Sequence, residues 1–285
     1  MALDSVKNLK PTININIPSY LRLGLINLVA GYRRERETET LKDALNTHNS
    51  ETMRELTEAY RCSSINDTLN KVSRYIDTVA KALEDLGYVT LINANVVLLT
   101  RLAVGLSNPY TEPLEPAISW DPYWNLPYIP ASSLKGSMRA IAHNSKNPCI
   151  NAFGMQNESS TIITLDAYPV YCPQNRSLLT LDVLNPHYRE TEGEVSEAQS
   201  KPTPLPFLTV SRGVGFKIVV MVARNRIKER LIKGKCSEED TSDYVYTNTN
   251  CKKACTKKEI EGIVMETLRN GIGAKTALGY GAFNI

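Results

Sequence analysis

Histidine is scarce, with three in 285 residues: His48, His143 and His187. No His-Glu-x-x-His run occurs, and no histidine stands in a recognisable set with a cysteine, so metalloprotease and Cys–His chemistry find no footing. A surplus of one charge is missing too. The 33 Lys and Arg against 30 Asp and Glu give +3, so any nucleic-acid binding must come from local patches. No apolar run approaches the ~18 residues that span a bilayer. The opening "MALDSVKNLKPTINI" has no basic flank followed by a long apolar core. No membrane and a cytoplasmic location are therefore expected. The six cysteines, at 62, 149, 172, 236, 251 and 255, are too scattered for a secreted disulfide framework. Cys251 and Cys255, with Cys236 nearby, leave open a local disulfide or a metal site short of a fourth ligand; the rest read as plain thiols.

What is present divides in two. Residues 1–87 read as a helical subdomain or insertion. A charged, helix-favouring stretch runs from about Arg33 to Tyr60, and a second from about Ile65 to Leu86 repeats Leu69, Val72, Ile76, Val79 and Leu83 three to four apart. From 88 the chain turns β-branched. "YVTLINANVVLLTRLAVGL", "STIITLDAYPVY" and "PFLTVSRGVGFKIVVMVARNR", the last hinged at Gly213, read as strands. Loops are expected at about 189–206 and 234–256. "TKKEIEGIVMETLRNG" reads as a helix with Thr256 and Glu259 as a capping box, an Ile260/Ile263/Val264/Leu268 stripe and Gly271 as its stop. The pattern predicts an α+β domain, with a four-stranded sheet and two helices against one face.

Two fragments invite a binding role. In "LPYIPASSLKGSMRAIAH", Pro130 forces an extended entry, and Ser132 or Ser133 is placed to cap a helix whose first N–H groups would be free for an anion. Lys135, Arg139 and His143 share one face, with Leu134, Met138 and Ile141 opposite. Gly136 is costly in a helix unless a backbone or a ligand comes close. In "NGIGAKTALGYGAFNI", Gly271, Gly273, Gly279 and Gly281 surround Lys275 and Thr276. The spacing is not that of an ATPase phosphate loop; the alternatives are a glycine-rich nest for a sugar–phosphate backbone and a tight turn into an edge strand. Residues 224–235 hold the strongest basic bias: Arg224 and Arg226 lie on one face of a strand, or Arg226, Arg230 and Lys233 line up on a helix. Tyr110, Trp120, Tyr123, Trp124, Tyr128 and Tyr188 are candidate stacking platforms, several of them core. For catalysis, Lys135 with His143 is the obvious general acid–base pair. Asp121, Asp166 and Asp182 are further candidates to position a 2′-hydroxyl or a metal, while Asp182 with His187 reads more simply as a loop-ordering pair.

"YIPASSLKGSMR" and "GIGAKTALGYGAF", with "NAFG" and "TLDAYPV" between them, resemble the signature segments of the RAMP superfamily of CRISPR-associated proteins. "LDVLNPHY" is similar to the sixth-subunit family of its Cmr (type III-B) module. The resemblance spans roughly residues 88–285. It implies a ferredoxin-like, RRM-type core with a helical N-terminal elaboration. It further implies a cytoplasmic, hetero-oligomeric ribonucleoprotein of antiviral defence, in which this chain binds guide RNA (crRNA) near its 3′ end, accommodates complementary target RNA and contacts other Cmr-module subunits. By the same resemblance the RNA-binding residues are Ser132, Ser133, Lys135, Gly136, Arg139, Gly271, Gly273, Lys275, Thr276, Gly279 and Gly281, with Arg224 and Arg226 added from the basic segment. Ala131 stands where glycine is usual. The aspartate used by target-cleaving relatives finds no clear match, so no catalytic residue, metal or cofactor is expected. A RAMP endoribonuclease and a purely structural assembly subunit are the alternatives.

Overall fold

The computed structural model describes residues 10–32, 41–106, 114, 118–184, 189–191, 194–196, 204–234, 243–247 and 253–284. Three helices come first, α1 (Ile17–Tyr32), α2 (Leu41–Ala59) and α3 (Cys62–Asp85). Then follow β1 (Tyr88–Leu98), β2 (Trp120–Asp121), β3 (Leu126–Pro127), α4 (Ala131–Asn144), β4 (Ile162–Thr164), β5 (Pro169–Tyr171) and β6 (Leu179–Leu184). The chain continues through β7 (Arg189–Thr191), β8 (Glu194–Ser196), β9 (Leu205–Val210), β10 (Gly215–Ala223), α5 (Arg224–Lys233), β11 (Tyr244–Thr247), β12 (Lys253–Thr256), α6 (Lys257–Asn270) and β13 (Phe283–Asn284). Among the described residues no helix is long and apolar enough to cross a membrane.

The main sheet runs β13-β1-β10-β4, all antiparallel, with β5 added to β10. Taken in chain order, β1–α4–β4–β10–α6–β13 is the split β-α-β of a ferredoxin-like fold. β10 is its centre. Its run "GFKIVVMVA" is buried at every position, which requires cover on both faces. The Lys217 side chain turns toward α3, where Asp77 pairs with its ammonium at 2.5 Å. The opposite face is left to α4 and α6, which pack on each other and on β4, β1 and β13. The hydrogen bond from Lys217, above all, holds the Asp77 carboxyl below the usual carboxylate range.

α6 forms as its sequence requires. Thr256 and Glu259 make the reciprocal capping box, Ile260, Ile263, Val264 and Leu268 are buried, and Gly271 ends the helix at φ +97°. The N-terminal helices share one hydrophobic cluster with the sheet, with Ile17, Met53, Ile65 and Val72 buried alongside Phe216 and Phe283. Asn125, at φ +55°, ties them on. Its carboxamide donates to the Ile13 and Ile15 carbonyls and accepts from Ile17 N and Trp120 Nε1, while its own carbonyl accepts from Tyr60 Oη.

Several expectations need correction. "STIITLDAYPVY" is two strands, because Ala167 leaves the sheet to exchange hydrogen bonds with Ile129. The two long loops contain the hairpins β7/β8 and β11/β12, and the β6/β9 ribbon carries the first of them. Ile141 is only half-buried; Ala142 completes the inner face of α4 with Leu134 and Met138. Cysteines 62, 149, 172 and 255 are not plain thiols, nor is Cys255 bonded to Cys251. Cys62 bonds Cys172 and Cys149 bonds Cys255, with Cα separations of 5.3 and 4.8 Å. Their partners lie more than a hundred residues away, which no local spacing reveals. Cys236 and Cys251 fall outside the described residues.

Candidate nucleic-acid interface

α4 begins one residue after Pro130, earlier than the serines would place it. Ser132 and Ser133 therefore stand inside the first turn and neither caps it. The cap comes from another segment: the Asp166 carboxylate accepts from Ala131 N at 2.6 Å. The N–H groups of Ser133 and Leu134 donate to the Pro130 carbonyl. These three amides are thus spent inside the protein, which leaves Ser132 N as the amide of the first turn with no such bond among the described residues.

The geometry offers a groove beside that helix. Ser133, Gly136, Ser137 and Ala140 on α4 face Gly273 and Ala274 of the terminal loop, with Val104 and Gly105 closing a depression of about 450 Å³. The two motifs, more than a hundred residues apart, meet here. A Cβ on Gly136 would touch nothing within 4 Å, so no backbone approaches it and its bare surface simply faces the groove. The loop glycines work differently. A Cβ at Gly273 would lie 2.3 Å from the Ala103 carbonyl oxygen, and one at Gly281 2.0 Å from that of Ile272. Both have positive φ. They let the loop lie against the chain leaving β1, where Ala274 N donates to Ala103 O and Gly281 N to Arg101 O. Lys275 takes the left-handed conformation itself, at φ +62°, and its carbonyl accepts from Leu278 and Tyr280 N. Lys275, Thr276 and Gly279 form a turn adjoining the groove, and Gly271 and Gly281 lie packed behind it.

The cations occupy the neighbouring face of α4. Lys135 and Arg139 follow each other by one turn, and Arg226 joins them from α5. Burial, followed by the positive charges of Arg226 and Arg139, pushes the Lys135 ammonium below its ordinary value. Such a cluster gains from an anion placed among it. The Arg226 guanidinium also donates to the Ser160 carbonyl, and that of Arg224 to the Tyr244 carbonyl. The segment is the helical alternative, although the side chains of Arg230 and Lys233 fall outside the described residues.

The other candidates have structural partners. Lys135 and His143 are eight helical residues, or about 12 Å, apart along α4, too far to act on one phosphate. Asp121 accepts from Tyr123 N, Trp124 N and the Tyr168 hydroxyl, which orders the β2–β3 turn. Asp182 binds Arg101 and the Tyr280 hydroxyl, each at 2.6 Å, clamping the glycine loop to β6. This clamp has no sequence signal, since its members are far apart and unremarkable in type. His187, Tyr110 and Tyr188 fall outside the described residues. Trp120 is core, packed edge-on to Tyr60, and Tyr128 stacks on Tyr168. Tyr123 is 83% exposed and, with Tyr75, flanks Trp124. Among the described residues the one acidic and thiol grouping close enough for an ion is Cys149, Cys255 and Glu259. Its sulfurs bond each other and its carboxylate serves the capping box.

Comparison with known proteins gives this arrangement a context. The CRISPR system CMR subunit Cmr6 of Saccharolobus solfataricus is 32% identical over 160 residues, 55% of this chain and 54% of that protein. The chain thus spans about half the length of this relative. A chain in the cryo-EM structure of the type III-B Cmr-beta bound to cognate target RNA has the same fold. Its TM-score is 0.69 at 23% identity, over 99% of this chain and 94% of that one. The crystal structure of Cmr6 from Pyrococcus furiosus aligns with a TM-score of 0.40 at 19% identity, over 69% of this chain and 97% of that one. The RAMP superfamily itself matches residues 96–284, from the end of β1 through α4 and its groove to β13. That match takes in both motifs and well over half of the sequence, and the chain belongs to the RAMP superfamily.

Proposed function

We propose that this chain is a guide-RNA-binding backbone subunit of a type III-B Cmr effector complex, near the guide's 3′ end, and that it binds RNA without cutting it. The observation that carries the reading is the meeting of the two motifs in one groove, with a cluster of three cations gathered at another face of the same helix. A groove lined by serines and residues no larger than valine admits a ribose–phosphate backbone closely. Lys135, Arg139 and Arg226 supply the charge that the groove lacks, while base pairing with target RNA supplies specificity. Ser132, Lys275 and Thr276 border this path. On this reading residues 88–285 form the RNA-holding core, and residues 1–87 are the elaboration offered to neighbouring Cmr subunits.

The test is guide-RNA affinity of the Lys135→Ala/Arg139→Ala variant across a salt series. Affinity is expected to fall roughly tenfold at moderate salt, and the slope of log affinity against log salt to shrink by about 1.4, or 0.7 for each lost phosphate contact. Unchanged affinity and slope would show that these side chains hold no phosphate. Incubation with a guide–target duplex, with and without divalent metal, is expected to leave both strands whole; cleavage would overturn the non-catalytic part.

A further inference from the structure

Away from the groove, three arginines from three separate segments converge at the edge of the sheet. Arg61 precedes α3, Arg176 lies in the turn between β5 and β6, and Arg212 lies in the turn between β9 and β10. All three are exposed. Their segments are tied through the backbone: Cys62 N donates to the Arg176 carbonyl, Arg61 bridges Ser177, and Ser211 N, beside Arg212, donates to the Leu178 carbonyl, while the Arg176 guanidinium reaches the Arg212 carbonyl at 3.5 Å. The Cys62–Cys172 disulfide fastens the same two segments covalently. Arg61 and Arg176 open onto a depression of about 500 Å³ lined by polar and charged residues, including Ser63, Gln174, Asn175 and Ser177. Glu58 is its one acidic residue, and none of the three guanidiniums has a carboxylate partner among the described residues.

We propose that Arg61, Arg176 and Arg212 form a second station for a ribose–phosphate backbone, distinct from the groove at α4. Guanidinium forks match phosphate oxygens, and hydroxyl and amide walls suit phosphate and ribose oxygens better than an apolar side chain. The position favours a continuing RNA strand over an isolated anion. Val97 pairs with Gly215, Gly215 with Tyr171, and Gly213 N donates to Leu98 O, so the arginines sit at the end of the sheet where β1 leaves for the groove. A strand leaving the groove would cross that end from β13 toward β5. Covalent and backbone fastening means that little backbone freedom is lost when the arginines engage. The inference rests on the reading of this chain as an RNA-binding subunit.

The experiment measures binding of a fluorescein-labelled oligouridine strand to the full chain by anisotropy over a salt series. It compares wild type, Arg61→Gln/Arg176→Gln/Arg212→Gln and Lys135→Ala/Arg139→Ala. The backbone hydrogen bonds and the disulfide survive substitution, although the contact from the Arg176 guanidinium does not, and equal melting temperatures confirm the fold. Affinity of the glutamine variant is expected to fall at least tenfold, and its salt slope by about 2. The matching lysine variant is expected to restore the slope but only part of the affinity. An unchanged glutamine variant beside a weakened Lys135/Arg139 variant would overturn the second station and leave the groove reading standing. The reverse pattern would sustain the station and remove the groove. No effect in either, or no binding by wild type, would overturn both. Polyglutamate competing as well as RNA for wild type, but not for the glutamine variant, would make an acidic protein segment the occupant and overturn the proposal.

Discussion

Asp182 joins three parts of the chain that sequence keeps far apart. Burial pushes its carboxyl up, but hydrogen bonds from Tyr280 and Arg101 outweigh that and leave it below the usual carboxylate range. The Tyr280 hydroxyl moves the other way, up to about 12, through burial and the adjacent carboxylate. A carboxyl depressed by folding stabilises the native state above its unfolded value and loses that contribution as pH falls through the folded value. The Asp182 clamp is therefore intact at neutral pH and released on acidification below about pH 4. Asp182→Asn is expected to melt below wild type at pH 7, with the gap closing toward pH 3. A gap independent of pH would mean that the charge is not what holds the loop.

At the scale of elements, α4 depends on a residue outside itself. Asp166 supplies the missing cap, so Asp166→Ala should cost about 0.5–2 kcal/mol, read as a few degrees of melting temperature. Ser132→Ala and Ser133→Ala should cost little, since neither caps the helix. Equal losses for all three would refute this division. α6 was legible in full because its signals are local: cap, stripe and stop lie within sixteen residues. The terminal edge strand and the break at Gly213 were legible for the same reason. The α4 cap, the split of β4 from β5 and the disulfides were not. In each, a partner more than thirty residues away outcompetes the local preference. The candidate site shows the same limit. Its residue types and its Lys135–Arg139 face could be read from sequence, but the joining of groove and loop, and the arrival of Arg226, could not.

For the molecule as a whole, two covalent links bind distant parts of the chain, and one of them, Cys62–Cys172, joins the two regions that the sequence pattern separates. They close spans of 110 and 106 residues; chain-entropy accounting assigns about 4–5 kcal/mol to a loop of that size. Disulfides are uncommon in reducing cytosol, with intracellular proteins of hyperthermophiles as the exception, so the pairing bears on where and how hot this protein works. Excess reductant is expected to lower the melting temperature by roughly ten degrees or more. An unchanged melt, with more than two free thiols recovered from the native protein, would remove the links.

The pairing of β1 with β10 joins residues such as Tyr88 and Ala223, more than a hundred positions apart. The centre of the sheet therefore cannot nucleate from neighbours in sequence, and its closure waits on a costly long-range encounter. Refolding should accordingly be slow and stepwise. The long α3 helix can gather early, while the apolar β10 run remains exposed until β1 finds it. During that interval β10 is the stretch most open to pairing with another chain, so the strand that makes the finished protein firm is also its main hazard on the way there.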